Sequence, residues 1–120
     1  MTITQKQAIE AYKVVERVRN EPLPIRTAYA LFTLRQKLAP AWEFQIEQEQ
    51  KFIELTSAVV NPDGTANFPS EDECKSFLRM KAELEAEPVE IDFEPIELPD
   101  TLTLSMNEIE SVFPFVKVGE

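Results

Sequence analysis

Nine prolines divide this 120-residue chain into short segments, and the chain contains only two glycines. Proline fixes φ, has no N–H to donate and restricts the residue before it, so it interrupts helices and central strands. Between the prolines, apolar residues recur mostly at helical spacing and alternate only towards the C-terminal end. The chain is therefore expected to adopt a mostly helical α+β fold.

Residues 1–60 are predicted to form an antiparallel helical hairpin. Thr4 and Gln7 fit a capping box at the start of the first helix, and the NEPLP segment at residues 20–24 ends that helix and opens the second. Pro40 lies within the second helix, where it removes one backbone hydrogen bond. We expect a kink near Pro40, or a break into two helices.

The second helix carries one broad apolar face. We expect it to face the core, and we place the aromatic rings of Tyr12, Tyr29 and Phe32 there. This face is marked by Ile25, Ala28, Tyr29 and Phe32 and widened by Leu31, Leu34 and Leu38.

Residues 61–120 are predicted to form an acidic helix followed by a β segment. The sequence NPDG at residues 61–64 is typical of a turn, and it would close a small hairpin between residues 57–60 and 65–68. Ser70 and Glu73 fit a capping box at the start of the third helix.

The C-terminal part is predicted to contain a short β-hairpin and a short terminal helix. Apolar and acidic residues alternate over Val89–Leu98, as in a half-buried strand, and Pro95 shifts the phase as a bulge in an edge strand would. A returning strand at Leu102 and Leu104 would complete the hairpin. A third capping box then precedes the terminal helix, which begins near Ser105.

Length and composition favour a single folded domain over residues 1–120. The lone Cys74 cannot form an internal disulfide, and the first residues lack the apolar stretch of a signal peptide. We expect a cytoplasmic protein without membrane contact. Its oligomeric state is left open.

Several kinds of chemistry are excluded by the residue types present. The chain has no histidine, so Ser-His and Cys-His nucleophile pairs cannot form. Two isolated glycines cannot build a glycine-rich phosphate loop. We therefore predict no enzymatic activity, no cofactor and no metal site.

The charge is unevenly distributed. Residues 1–60 carry a net charge of +1 and residues 61–120 one of −11, and Glu83–Asp100 contains eight acidic residues and no basic one. This excess argues against direct nucleic-acid binding and favours a protein partner. The alternative is a solvated outer strand face. The candidate partner-binding carboxylates are Glu90, Asp92, Glu94, Glu97 and Asp100.

Trp42 is a further candidate for partner binding. Trp42 and Phe44 are two residues apart just after Pro40, so they cannot both face one narrow helical stripe. We expect one of the two rings to be exposed, and we take Trp42 as the candidate interface anchor.

Four segments of the chain resemble a family of small proteins that are encoded by tailed bacteriophages and prophages and have no assigned biochemical function. The resemblance implies a phage origin and a compact α+β protein, located in the cytoplasm of the bacterial host or in the virion, and it carries no catalytic residues. The segments are ITQKQAIEAYKVV (3–15), LPIRTAYALFTLRQKLAP (23–40), EFQIEQEQKFIEL (43–55) and IELPDTLTLSMNEIESVFPFV (96–116).

Three functions are then compatible with the sequence. The first is a non-enzymatic phage accessory protein that binds another protein, in virion assembly or in the modulation of a host factor. The second is an acidic mimic of nucleic acid that inhibits a host defence or DNA-binding protein; lysine at Glu90, Asp92 and Glu94 would then abolish binding. The third and weakest is a carboxylate-based hydrolase.

Overall fold

A computed structural model describes residues 2–99 and 102–118. It confirms a mostly helical α+β fold. The helices are α1 (Gln5–Val18), α2 (Ile25–Leu55), α3 (Glu71–Glu85) and α4 (Met106–Val112), which continues into a 3₁₀ turn at Phe113–Phe115. The strands are β1 (Thr2–Thr4), β2 (Val59–Val60), β3 (Ala66–Asn67), β4 (Pro88–Glu90), β5 (Ile96–Leu98) and β6 (Val116–Val118).

Helix α1 begins at the predicted capping box. The Thr4 hydroxyl accepts a hydrogen bond from the Gln7 backbone N–H at 3.1 Å, and the Gln7 side chain accepts one from the Thr4 N–H at 2.8 Å. Two donors that a helix start leaves unpaired are satisfied in this way. The local sequence therefore fixes where α1 begins.

Helices α1 and α2 pack antiparallel, as predicted. At the start of α1, the Gln5 side chain donates to the Ala41 carbonyl oxygen at 2.7 Å. Towards the end of α1, Glu16 forms an ion pair with Arg35. Contacts thus move from the middle of α2 to its beginning as α1 proceeds, which requires opposite helix directions.

Helix α2 runs unbroken through Pro40, so a break into two helices is the wrong alternative. Proline removes one hydrogen bond from the ladder. The residues on both sides compensate by packing, because Leu38 is fully buried and Ala41 contacts α1. At 31 residues, α2 is about 46 Å long at ~1.5 Å per residue, and it forms the spine of the molecule.

The main core lies between α1, the first half of α2 and the C-terminal segments. Leu34, Leu38 and Phe115 are its largest fully buried side chains. Among the described residues, the main core consists of Ile3, Ala8, Ala11, Tyr12, Val14, Val15, Val18, Leu31, Leu34, Leu38, Ile91, Ile96, Val112 and Phe115.

The predicted C-terminal β-hairpin is wrong. Strand β4 pairs antiparallel with β1 at the N-terminus, whereas β5 pairs in parallel with β6. Residues 91–95 connect the two pairs without belonging to a strand, so Pro95 is not a bulge. Leu102 and Leu104 lie outside the strands and pack against the main core. The alternation of apolar residues reflects burial of one side of an extended segment, which needs no ladder.

The predicted hairpin after α2 is confirmed between β2 and β3. Its turn requires Gly64, whose φ of 88° is one that residues with a Cβ rarely adopt. Asp63 stabilises the same turn, because its carboxylate accepts hydrogen bonds from the Thr65 N–H at 3.0 Å and hydroxyl at 2.7 Å. Local sequence therefore determines this hairpin.

The capping box predicted for α4 is present in full, and the one predicted for α3 is present in part. The Ser105–Glu108 capping box is complete, and Glu108 also forms an ion pair with Arg17, which joins α4 to α1. At α3, Ser70 accepts a hydrogen bond from the Glu73 N–H at 3.4 Å, but the Glu73 side chain does not return one. The first half of that predicted box is correct and the second is wrong.

A second, smaller group of apolar side chains lies beyond the main core. Phe77 of α3 is 6.3 Å from Phe52 and 5.3 Å from Phe68, measured between ring centroids. We call these three rings the aromatic cluster.

The molecule is elongated, 53 × 29 × 22 Å, and its radius of gyration is 16.7 Å, compared with about 13.6 Å for a compact chain of this length.

Candidate functional site

The acidic segment that the sequence singled out lies on the surface. Glu90, Asp92, Glu94 and Glu97 are all exposed. Glu90 accepts a hydrogen bond from the Thr2 hydroxyl across the β1–β4 pair, so part of its role is to close that pair. The fifth predicted residue, Asp100, lies outside the described residues.

Basic side chains from α2 lie beside this acidic segment. The Lys37 ammonium donates a hydrogen bond to the Asp92 carbonyl oxygen and lies 5.6 Å from the centroid of the Phe93 ring. Arg26 and Lys37 also line an open groove of about 660 Å³ together with Glu94 and Glu97. The segment is therefore partly neutralised by its neighbours and does not form a purely negative surface.

Trp42 has a different environment from the one expected of an exposed anchor. Its ring stacks on Tyr12, with centroids 4.9 Å apart and planes 17° apart, and it is half-buried against the main core. Phe44 is the more exposed ring of the pair, at 48%. The prediction that one of the two rings is exposed is thus met by Phe44, and partner binding by Trp42 stays a prediction.

Three large apolar side chains on α2 point away from the main core. Ile25 is 88% exposed, Tyr29 71% and Phe32 51%. They follow one another at intervals of four and three residues, so they share one helix face, and the Tyr29 and Phe32 rings are 6.4 Å apart. We call these residues the α2 stripe.

The α2 stripe corrects the expectation that Tyr29 and Phe32 are core residues, which was right for Tyr12. The leucines at positions 31, 34 and 38 are buried, and they occupy a face about 100° or more away at ~3.6 residues per turn. Because α1 covers only one face of α2, Ile25, Tyr29 and Phe32 are left uncovered. The sequence pattern alone does not reveal which part of a broad apolar helix face a neighbouring helix buries.

A second groove, of about 620 Å³, lies where α2, α3 and the β1–β4 pair meet. We call it the α2–α3 groove. Its lining is mostly apolar, with two carboxylates, Glu83 and Glu87. The lining residues are Gln5, Pro40, Ala41, Phe44, Phe52, Met80, Glu83, Leu84, Glu87, Pro88 and Val89.

Sequence reasoning missed the α2–α3 groove, although one signal was present. The last turn of α3 contains no basic residue, and acidic residues occupy positions 83, 85 and 87. Carboxylates are disfavoured at the C-terminal end of a helix, where the backbone dipole is negative. Local helix stability therefore does not explain this placement.

The carboxyl groups with shifted pKa values serve structure. Arg35, through its side-chain hydrogen bond, lowers the pKa of Glu16. Ser105, through its backbone N–H, and then Arg17 lower the pKa of Glu108, and Thr65 lowers that of Asp63. A general acid needs a raised pKa, so these three groups are unsuited to the acid step of a hydrolase.

Within residues 2–99 and 102–118, no cluster of three or more Asp, Glu or Cys side chains is arranged to hold a metal ion. In the same ranges, no helix combines the length and the apolarity needed to cross a bilayer.

Searches against protein-family models, curated proteins and solved structures found no match for this chain. Its function is therefore inferred from its surfaces.

Proposed function

We propose that this chain is a non-enzymatic binding protein of the accessory kind that tailed bacteriophages encode, and that it contacts a phage structural protein or a host protein. The α2 stripe carries this proposal. Single exposed apolar residues are common on protein surfaces, but a contiguous row is typical of an interaction site. Tyrosine and phenylalanine are also enriched in such sites.

The structure of α2 supports this role for the stripe. The opposite face of the helix is anchored by Leu31, Leu34 and Leu38, which are buried. The stripe is therefore presented on a rigid support, and binding would cost little ordering of the backbone. The partner would place an apolar face over Ile25, Tyr29 and Phe32.

The test is site-specific photo-cross-linking in phage-infected or lysogenic bacteria. A photoreactive phenylalanine analogue at Tyr29 should cross-link one protein reproducibly, and the same analogue at the exposed Lys13 of α1 should not. Mass spectrometry of the adduct and of purified virions then distinguishes a structural partner from a host partner.

Reconstitution with the purified partner completes the test. The double variant Tyr29→Glu/Phe32→Glu should weaken binding by about a hundredfold, as expected when two interface anchors are lost. Gln50→Glu, an exposed change on the same helix, should bind as the parent does. Equal affinity of the two variants would contradict the proposal.

The acidic mimic of nucleic acid is a second candidate, favoured by the exposure of Asp92, Glu94 and Glu97. Its weakness is that Arg26 and Lys37 line the same groove as Glu94 and Glu97. A mimic should compete with duplex DNA for a basic host protein and lose that competition in high salt. Asp92→Lys/Glu94→Lys/Glu97→Lys should abolish it, and unchanged competition would exclude this candidate.

A further inference from the structure

The α2–α3 groove combines an apolar floor with a negative rim. Phe44 is half exposed within it, and Phe52 and Leu84 contribute from the two helices. Its volume of about 620 Å³ lies within the roughly 300–1,000 Å³ of ligand pockets. The space is thus sufficient for several apolar side chains of a partner.

The rim charge indicates which partner the groove would accept. Glu83 and Glu87 line the groove, and the C-terminal end of α3 adds the negative end of its dipole to the same place. By contrast, α1 ends with Arg17 in its last turn, as helix stability favours. A Lys or Arg side chain on a partner would supply the positive charge that the last turn of α3 lacks.

We propose that the α2–α3 groove binds a basic amphipathic helix of another protein. Its apolar residues, spaced at i, i+3 or i+4 and i+7, would enter between α2 and α3, as in other helix-in-groove complexes, and its lysines or arginines would meet Glu83 and Glu87. This inference goes beyond the proposed function, since it assigns a second site and the chemistry of its ligand.

The direct test uses a defined probe in place of the unknown partner. The probe is a fluorescent peptide of leucine and lysine, about 18 residues long so that it exceeds the ~12–15 residues that a helix needs in water. A peptide in which glutamate replaces every lysine is its control. Fluorescence anisotropy should show binding of the lysine peptide that weakens with salt, and no binding of the glutamate peptide.

Matched variants of the full chain locate the binding. Phe44→Ala should lower the affinity for the probe by about tenfold. Phe32→Ala, which removes a ring of similar exposure in the α2 stripe, should leave this affinity unchanged. Glu83→Gln/Glu87→Gln should lower the affinity for the probe as well. Glu94→Gln/Glu97→Gln removes the same charge from another surface and should have little effect.

Thermal melting guards against a folding artefact. Glu83→Gln/Glu87→Gln should melt no lower than the parent, because it removes negative charge from a helix C-terminus. Loss of probe binding without loss of stability supports the site. Equal weakening by the two double variants, or unchanged binding by Phe44→Ala, would overturn it. Either outcome leaves the α2 stripe untouched, since that surface is tested by cross-linking at Tyr29.

Discussion

The two ends of α2 are embedded very differently. Towards its start, α2 packs on α1, which buries eight of its 14 residues. Towards its end, α2 packs on α3, which buries only Leu84 among 15 residues. One helix thus belongs both to a well-filled main core and to a thinly covered extension held by the aromatic cluster.

This difference indicates that stability is unevenly distributed. Segments with few buried apolar contacts open at lower free energy than the core that they adjoin. Helix α3 and the β2–β3 hairpin should therefore open while α1 and the first half of α2 remain folded. The α2–α3 groove lies at the boundary between these two parts.

The largest effect is expected from Leu34→Ala in the main core. Leu34 is fully buried, so the change should lower the free energy of unfolding by about 3 kcal/mol, through lost burial and the cavity that remains. Urea denaturation followed by circular dichroism measures it. Leu55→Ala, at an exposed position of the same helix, should stay within about 0.5 kcal/mol of the parent.

Phe77→Ala should have a smaller and more local effect. Phe77 is half-buried and contacts both other rings of the aromatic cluster, so we expect a loss of about 2 kcal/mol. Hydrogen exchange should become faster in α3 and the β2–β3 hairpin while α1 stays protected. Faster exchange throughout the molecule would show that both parts unfold as one unit.

Acid should weaken the ion pairs that join α1 to α2 and to α4. The pKa values of Glu16 and Glu108 are lowered from 4.5 by their partners, so the stability that they contribute is complete above that pH. It is lost as the pH falls through the lowered values in the folded state. The variant Glu16→Gln/Glu108→Gln should therefore lose less stability on acidification than the parent does.

Urea midpoints measured across the acid range test this expectation. Asp63→Asn provides the comparison in the extension, because the pKa of Asp63 is also lowered, by Thr65, in an exposed turn. Its effect should be confined to the β2–β3 hairpin. If the urea midpoint of the Glu16→Gln/Glu108→Gln variant fell as steeply with decreasing pH as that of the parent, Glu16 and Glu108 would not contribute the stability that is lost in acid.

The smallest effect is expected from Glu85→Lys at the end of α3. Replacing a negative by a positive charge near a helix C-terminus should stabilise the chain by about 0.5 kcal/mol, and less at high salt. The reverse change at the equivalent place in α1, Arg17→Glu, should destabilise the chain. It places a negative charge at a helix C-terminus, and it removes the ion pair with Glu108. Melting temperatures in low and high salt measure both effects.

Features of the fold set by neighbouring residues could be predicted from the sequence. The capping boxes at Thr4 and Ser105 and the turn at Gly64 depend on side chains only a few positions apart. The antiparallel packing of α1 and α2 also followed, because a short proline-containing connection leaves few other arrangements.

Pairing between strands that are distant in the sequence was not predictable. Without a tight turn to join them, strands of three residues carry too little pattern to name a partner, and Ile3 pairs with Val89 far along the chain. The candidate surfaces show the same limit. Tyr29 and Phe32 look like core residues until one knows that α1 covers a single face of α2, and Phe44 joins Glu83 only through the packing of α3.

The buried amides between α1 and α2 have a consequence for alternative packings. Gln5 donates to Ala41 and, at 3.3 Å, to Gln45, which in turn donates to Glu49. Sliding α1 by one turn, about 5.4 Å, would preserve many apolar contacts but leave amides unpaired at ~1–3 kcal/mol for each group. The hydrogen-bonded amides therefore select one alignment of the two helices among several that apolar contacts alone would allow.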